Sequence, residues 1–343
     1  MRVFASGTHA KHAPKGELSG GVFVPPFECP ERVELILARL RERKFTDVIA
    51  PGPTDMEAIQ LMCDPGYLAF LEFGWDEWVA AGHKGDIIAT NWPARRMQTA
   101  RPPRDIDGRA GYYALASETA ICGGTWEAVL ASAACAQNAA AHVSDGAPAA
   151  FALCRPPGHH ATADMYGGYC FLNNAALAAE KLRGRGAQRV AIIDVDFHHG
   201  NGTQDIFYSR GDVFFASLHG APEEAFPYFL GFADETGVGA GEGSNANYPM
   251  PEGTGFAQWA EALDDALARA LMTGAEALVI SLGVDAYKLD PISFFKLESE
   301  DFTRIGQKLA RLKKPTIFCM EGGYAIDDVG INTVNVLEGF LAA

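Results

Sequence analysis

Four apolar runs from residue 149 onward each lead into residues that can move protons or hold a metal. After Ala149–Cys154 comes RPPGHH, bringing His159 and His160. The run Val190–Asp196 closes in DVDFHHG, with Asp194, Asp196, His198 and His199. Ala277–Asp285 ends on Val284-Asp285, and Pro315–Met320 leads to EGGY and Tyr324. Asp196 and His198 are two apart, so on an extended chain their side chains point to one side. With Asp285 they make two carboxylates and one imidazole, the donor number of a catalytic zinc site that keeps a position open for water. Two oxygen donors would also suit Fe2+ or Co2+. Strand-end aspartates can equally cap the following helices. The convergence of four strand ends favours the metal reading.

The elements that must position these residues follow from the runs. Each, like Val213–His219, is apolar on consecutive residues, as expected of strands covered on both faces. Helical patterns lie between them at Asn173–Leu182, Phe256–Met272 and Ser299–Leu312, with a closing helix at Asp328–Leu341. Pro30–Lys44 and Gly66–Ala81 make the first third more helical. Alternating strands and helices predict one α/β domain around a mostly parallel sheet. In such sheets ligands bind beyond the carboxyl ends of the strands, which is where these side chains fall. Residues 82–111 fit neither pattern: the stretch is polar and broken by prolines. It is either an ordered excursion onto a neighbouring subunit or a surface loop.

Composition sets limits. Lys and Arg total 28 against 43 Asp and Glu, a formal charge of −15. Phosphate binding needs clustered basic residues, so these counts argue against nucleic acid as a partner, whereas cationic ligands would be attracted. No stretch nears the ~20 apolar residues of a membrane helix, and the start lacks a signal-peptide core. Seven cysteines, odd in number and without CxxC, read as reduced, buried side chains of a cytoplasmic protein.

RPPGHHA, GGYCFLNN, DVDFHHGNGTQ, SLHG, SLGVDAY and EGGY occur here in the order seen in histone deacetylases, which the chain resembles over nearly its whole length. Within that superfamily it is similar to the acetylpolyamine amidohydrolases, through Gly16–Leu18, Asp290–Phe295 and the insertion at 82–111. The resemblance implies an arginase-like sheet of about eight strands with helices on both faces. It implies zinc on Asp196, His198 and Asp285, an acid–base pair in His159 and His160, and an oxyanion donor in Tyr324. It also implies a structural K+ held by Asp194, Asp196, His198, Ser217 and Leu218. Phe207, Arg210 and Val213 would offer carbonyls to a second K+. Tyr169, with Gly168, and Phe226 match aromatics flanking the substrate's methylene chain, although ordinary packing would also place aromatics there. Asn201 stands where some relatives carry aspartate, which leaves the division of labour between the histidines open. His199 and His219 are expected to be hydrogen-bonded packing residues.

The expected substrate is a small cationic acetylated amine, such as N-acetylputrescine, N-acetylcadaverine or an acetylspermidine. Glu17 at the tunnel mouth, Glu118, and Asp107 reaching a partner's site are the acids that could meet its ammonium. A homodimer or dimer of dimers, narrowed by the insertion, would exclude folded protein. The rival expectations are a broad acetyl-lysine deacetylase, a ureohydrolase and a silent acetyl-amine binder.

Overall fold

The computed structural model describes residues 1–343. In chain order the strands are β1 (Arg2–Phe4), β2 (Glu17–Ser19), β3 (Val22–Val24), β4 (Val48–Ile49), β5 (Ala149–Ala152), β6 (Val190–Asp194), β7 (Val213–Gly220), β8 (Asn245–Met250), β9 (Ala277–Leu282) and β10 (Thr316–Met320). β2 and β3 form a separate antiparallel hairpin. The other eight form one sheet in the order β4-β1-β5-β10-β9-β6-β7-β8. Every neighbouring pair in it is parallel. Strands β5, β6, β9 and β10 are buried at every residue, as their largely apolar sequences require of a sheet covered on both faces.

This order makes β5, β10, β9 and β6 consecutive across the middle of the sheet. The four strand ends that carry the chemistry are therefore side by side. Helix Thr125–Ser144 packs on β1, β5 and β10, Asn174–Gly184 on β6, β9 and β10, and Phe256–Met272 on β6, β7 and β8.

Two expected strands are shorter than their apolar runs. β6 stops at Asp194 and β9 at Leu282, so Asp196, His198 and Asp285 lie on loops rather than on extended chain. The carboxylates themselves end the ladder by accepting nearby amides. Asp194 Oδ1 accepts from the Asp196 N–H at 3.1 Å, and Asp196 Oδ1 from the His198 N–H at 2.9 Å. Such side-chain bonds compete with strand pairing.

Residues 82–111 divide in two. Ile87, Ala89, Ile106 and Ala110 are buried in a second, smaller core with Tyr67, Phe70 and Tyr113, and a helix spans Ile106–Tyr112. Between them residues 90–105 are exposed throughout, pinned at two points. Trp92 Nε1 donates to the Ala114 carbonyl at 3.0 Å, and the Tyr112 hydroxyl to that of Thr99 at 2.6 Å. All seven cysteines are free. No helix is long and apolar enough to cross a membrane.

Candidate active site

The carboxyl ends of β6 and β9 bring Asp196, His198 and Asp285 together, with donor atoms within 4.8 Å of one another. His198 Nδ1 lies 3.3 Å from Asp196 Oδ1 and 3.0 Å from Asp285 Oδ2, so the three donors face one point. All three residues are buried. Without a cation the group is electrostatically awkward. Burial, and then Asp196 close by, push the Asp285 carboxyl up to about 8. Burial disfavours a charged His198, but its bonds to Asp196 and Asp285 prevail and raise it to about 10. His198 Nδ1 thus faces a point between two buried carboxyl groups that a divalent ion could occupy. Two oxygens and one imidazole nitrogen with no fourth protein donor fit a catalytic metal centre.

The loop after β5 sets the histidine pair alongside. Glu321 Oε2 accepts from the backbone N–H groups of Gly158 at 2.6 Å and His159 at 3.1 Å, fixing the loop to the end of β10. His159 Nδ1 lies 3.0 Å from Asp194 Oδ2. His160 Nδ1 lies 2.7 Å from Asn201 Oδ1. The two rings are 4.0 Å apart. Burial opposes charge on His159, but Asp196 and Asp194 outweigh it and raise it well above the usual histidine range. His160 has only a neutral amide behind it. Burial, followed by the neighbouring His159 and His198, depresses it well below that range. Two adjacent imidazoles are thus driven apart in proton affinity, which is how one site can hold an acid and a base together.

Tyr324 stands opposite, buried, with its phenol pushed well above the ordinary range, first by burial. Two acids and a base hold it there, of which only Asp290 falls within a sequence motif. Asp290 Oδ2 accepts from the Tyr324 N–H at 2.7 Å. Arg32 donates to the carbonyls of Gly323 at 2.7 Å and Glu321 at 2.6 Å, and its guanidinium lies 4.9 Å from the Tyr324 ring centre. Glu28 Oε1 accepts from both Arg32, at 3.0 Å, and Arg155, at 2.8 Å. Arg32 is buried, a tertiary property that the sequence of Pro30–Lys44 does not announce. Gly322 is required here, because a Cβ would lie 2.6 Å from Oδ2 of both Asp196 and Asp285.

A cleft of about 500 Å³ leads down to this floor. Tyr169 and Phe226 both line it, and the Phe226 ring centre is 5.0 Å from that of His160. Phe226 is therefore a wall of the cleft and not core. Gly168 and Tyr169 have φ of +54° and +65°. At Gly168 a Cβ would sit 2.1 Å from the His160 ring, so the turn can pass only as glycine. Glu17 and Glu118 line the cleft too, and both are hydrogen-bonded to its wall. Glu17 is 2% exposed and accepts from the Tyr169 hydroxyl at 2.9 Å and the Phe27 N–H at 3.2 Å. Glu118 accepts from the Gly168 N–H at 2.8 Å. Glu224, at the same cleft, was not anticipated.

Other expected residues lie apart. Asp107 is half exposed, with a carboxylate oxygen 3.8 Å from His83 Nε2, and is absent from the cleft of its own chain. Asp194 and Ser217 pair in register across β6 and β7, with Leu218 next along the strand. Phe207 and Arg210 flank the turn before Val213 opens β7, where the Phe207 carbonyl accepts from the Arg210 N–H at 2.9 Å. His199 bonds Gln204 at 3.1 Å, and His219 bridges Ser217 and the Gly231 carbonyl at 2.9 Å each, so both are tied into the packing behind the site.

With this geometry in view, similarity to known proteins becomes informative. Residues 26–340 match the histone deacetylase domain. The chain is 57% identical to the acetylpolyamine amidohydrolase of Mycoplana ramosa over 339 residues, 99% of each chain. It is 52% identical to acetylpolyamine amidohydrolase 1 of Pseudomonas aeruginosa, over 98% of each. The crystal structure of the acetylpolyamine aminohydrolase from Burkholderia pseudomallei superposes with a TM-score of 0.94 at 39% identity, covering 100% of this chain and 99% of that one. The chain belongs to the histone deacetylase family, a family of hydrolases, and its likeness within that family is to the acetylpolyamine amidohydrolases.

Proposed function

We propose that this protein hydrolyses the amide of small acetylated polyamines, of the N-acetylputrescine, N-acetylcadaverine and acetylspermidine class, to acetate and free amine. The observation that carries the reading is the cleft itself: proton carriers and a three-donor metal centre at its floor, aromatic walls above, and Glu17, Glu118 and Glu224 around them. Zinc, with Fe2+ or Co2+ as substitutes, is the ion proposed for Asp196, His198 and Asp285. Bound there, it supplies polarisation of the acetyl carbonyl and acidification of a water molecule.

The side chains perform the rest. His160, held neutral, accepts the proton that water gives up. His159, charged between Asp194 and Asp196, donates its proton to the departing amine nitrogen. Tyr324 keeps its hydroxyl hydrogen and donates it to the acetyl oxygen as negative charge builds there. Tyr169 and Phe226 flank the methylene chain, excluding water from the scissile bond. Glu17 and Glu118, with Glu224, favour a substrate whose far end is an ammonium. A K+ ion on Asp194, Ser217 and Leu218, with Asp196 and His198 adjoining, is proposed to brace the β6 end structurally; Phe207, Arg210 and Val213 would hold a second.

Residues 90–105 are proposed to contact a second copy of the chain, bringing Asp107 towards that copy's cleft. Residues 93–104 hold four arginines and no acid in a chain of charge −15, which suits an acidic partner such as itself. Deleting 93–104 should convert a dimer to a monomer by light scattering and raise activity on acetyl-lysine peptides. A deletion variant of unchanged mass would refute this role.

The deciding experiment measures kcat/KM for the zinc-loaded protein on acetylputrescine, acetylcadaverine and acetylspermidine beside an acetyl-lysine peptide. A preference of ~100-fold or more for the small amines is expected. Equal or better turnover of the peptide would replace this reading with a broad deacetylase, and no turnover of either with a binding protein.

A further inference from the structure

Beside the metal centre lies a second convergence of donors that the proposed chemistry does not use as a set. His159, Cys170 and Glu321 are buried, and their donor atoms lie within 4.8 Å of one another. Glu321 spends Oε2 on two backbone amides, yet its Oε1 is buried with no hydrogen-bond partner. A buried polar atom left unpaired calls for an explanation, and an unseen ion is one. His159 faces Asp194 through Nδ1, which leaves Nε2, 3.8 Å from Asp196 Oδ1, as the nitrogen without a hydrogen bond. The Cys170 thiol makes a weak bond to the Gly168 carbonyl at 3.2 Å.

We infer that His159, Cys170 and Glu321 form a second, inhibitory site for a thiophilic divalent cation such as Zn2+. Sulfur and imidazole donors select zinc, cobalt or cadmium over K+, Mg2+ or Ca2+. Tetrahedral zinc with bonds of about 2.0–2.3 Å sets its donors roughly 3.5 Å apart, so the three need draw in by about an ångström. The local charge permits a cation. Asp194 and Asp196 flank His159, and the nearby Arg32 is paired with Glu28 at 3.0 Å. On binding, the Cys170 S–H bond breaks, a sulfur–metal bond forms and the proton leaves to solvent. His159 contributes its Nε2 lone pair after releasing its own proton to solvent, and Glu321 contributes Oε1. An ion on His159 Nε2 denies the departing amine its proton. That last consequence rests on the proton-donor role proposed above; the site does not.

Cobalt separates the two. Protein loaded with one equivalent of Co2+ has only oxygen and nitrogen donors at Asp196, His198 and Asp285, so no sulfur-to-cobalt charge-transfer band is expected in the near ultraviolet. Further Co2+ should produce that band while activity falls. Cys170→Ser should abolish both effects and keep the activity of the one-equivalent enzyme; Cys170→Ala carries the same expectation should the serine variant not fold. Absence of the band under excess Co2+, or a band of full height in both variants, overturns the site. A band without inhibition supports the site and overturns proton delivery by His159.

Discussion

The hydroxyl of Tyr169 donates to Oε1 of Glu17 at 2.9 Å, tying the aromatic wall of the cleft to an acid buried behind it. Tyr169 is held at a φ of +65°, uncommon for a bulky residue. Strain of this kind persists where surroundings over-determine it. Here the surroundings include Thr119, whose hydroxyl accepts from the Tyr169 N–H at 2.8 Å, and Glu118, which accepts from the Gly168 N–H. The acids proposed to read the substrate's charge thus also hold the wall that grips its chain.

Glu17→Gln keeps an acceptor for Tyr169 and removes the charge. We expect kcat/KM for acetylputrescine to fall by roughly tenfold to a hundredfold, the worth of a partly desolvated ion pair of ~1–3 kcal/mol. A neutral acetylated amine of equal length should lose little. Equal losses on both substrates would defeat charge pairing by Glu17.

Burial, the largest influence, pushes the Glu17 carboxyl up to about 7, against the opposing bonds from Tyr169 and Phe27. Raising pH through that value ionises it, while an aliphatic ammonium with a pKa of about 10 stays charged. The ratio of kcat/KM for a cationic over a neutral acetylamine should therefore rise as pH climbs through about 7. In Glu17→Gln the ratio should be flat across the same window. A rising ratio in the variant would assign the effect to another group.

Tyr324→Phe removes the hydroxyl proposed to meet the acetyl oxygen and leaves Arg32 and Asp290 on the same backbone. Loss of a single oxyanion donor typically costs about 10²–10³ in kcat. A loss of that size with KM little changed is expected from steady-state kinetics. A rise in KM at constant kcat would make Tyr324 a binding residue.

Removing the metal leaves Asp196 and Asp285 facing each other in the interior. A chelator should abolish turnover and lower Tm, and zinc should restore both. An ion at 100 times its Kd adds about 2.7 kcal/mol to stability. In the Cys170→Ser background, which lacks the second proposed site, Asp285→Ala should leave Tm insensitive to added zinc. Turnover that survives complete chelation, confirmed by metal analysis, would rule out a metal centre.

The central strands were legible because β5, β6, β9 and β10 are apolar on nearly every residue, with only Asp194, Ser281 and Thr316 polar, and the residues following them carry the candidate site. Other elements were not. The helix Thr125–Ser144 buries residues all round its circumference, so no apolar stripe marks it. β8 reads NANYPM, and β1 and β4 have three and two residues, too little for a pattern. At the site, His159, His160 and Asp285 could be found from motifs. Glu28 and Arg32 could not, and Arg155, although it opens RPPGHH, gave no sign of its role, because their meaning lies in meeting one another: Arg32 and Arg155 are 123 positions apart, yet both donate to Glu28 Oε1. The Asp196–His198 spacing brought the right pair together for a reason other than the extended chain, namely a side-chain-capped turn.

Strand β10 lies between β5 and β9, although it is the last of the strands in the chain. During synthesis β5 and β9 must therefore wait, each with an open hydrogen-bonding edge, until residues 316–320 arrive to join them. Pairing of this range is slow, since distant segments must be gathered before contacts reward it. Unpaired edges invite association with other chains in the meantime. The same late strand carries Glu321 and Tyr324 just past its end, so a nascent chain cannot acquire hydrolytic competence in stages. Assembly of the sheet and assembly of the reaction centre are one event, and slow translation or truncation near residue 316 would yield sticky, inert protein rather than a weakened enzyme.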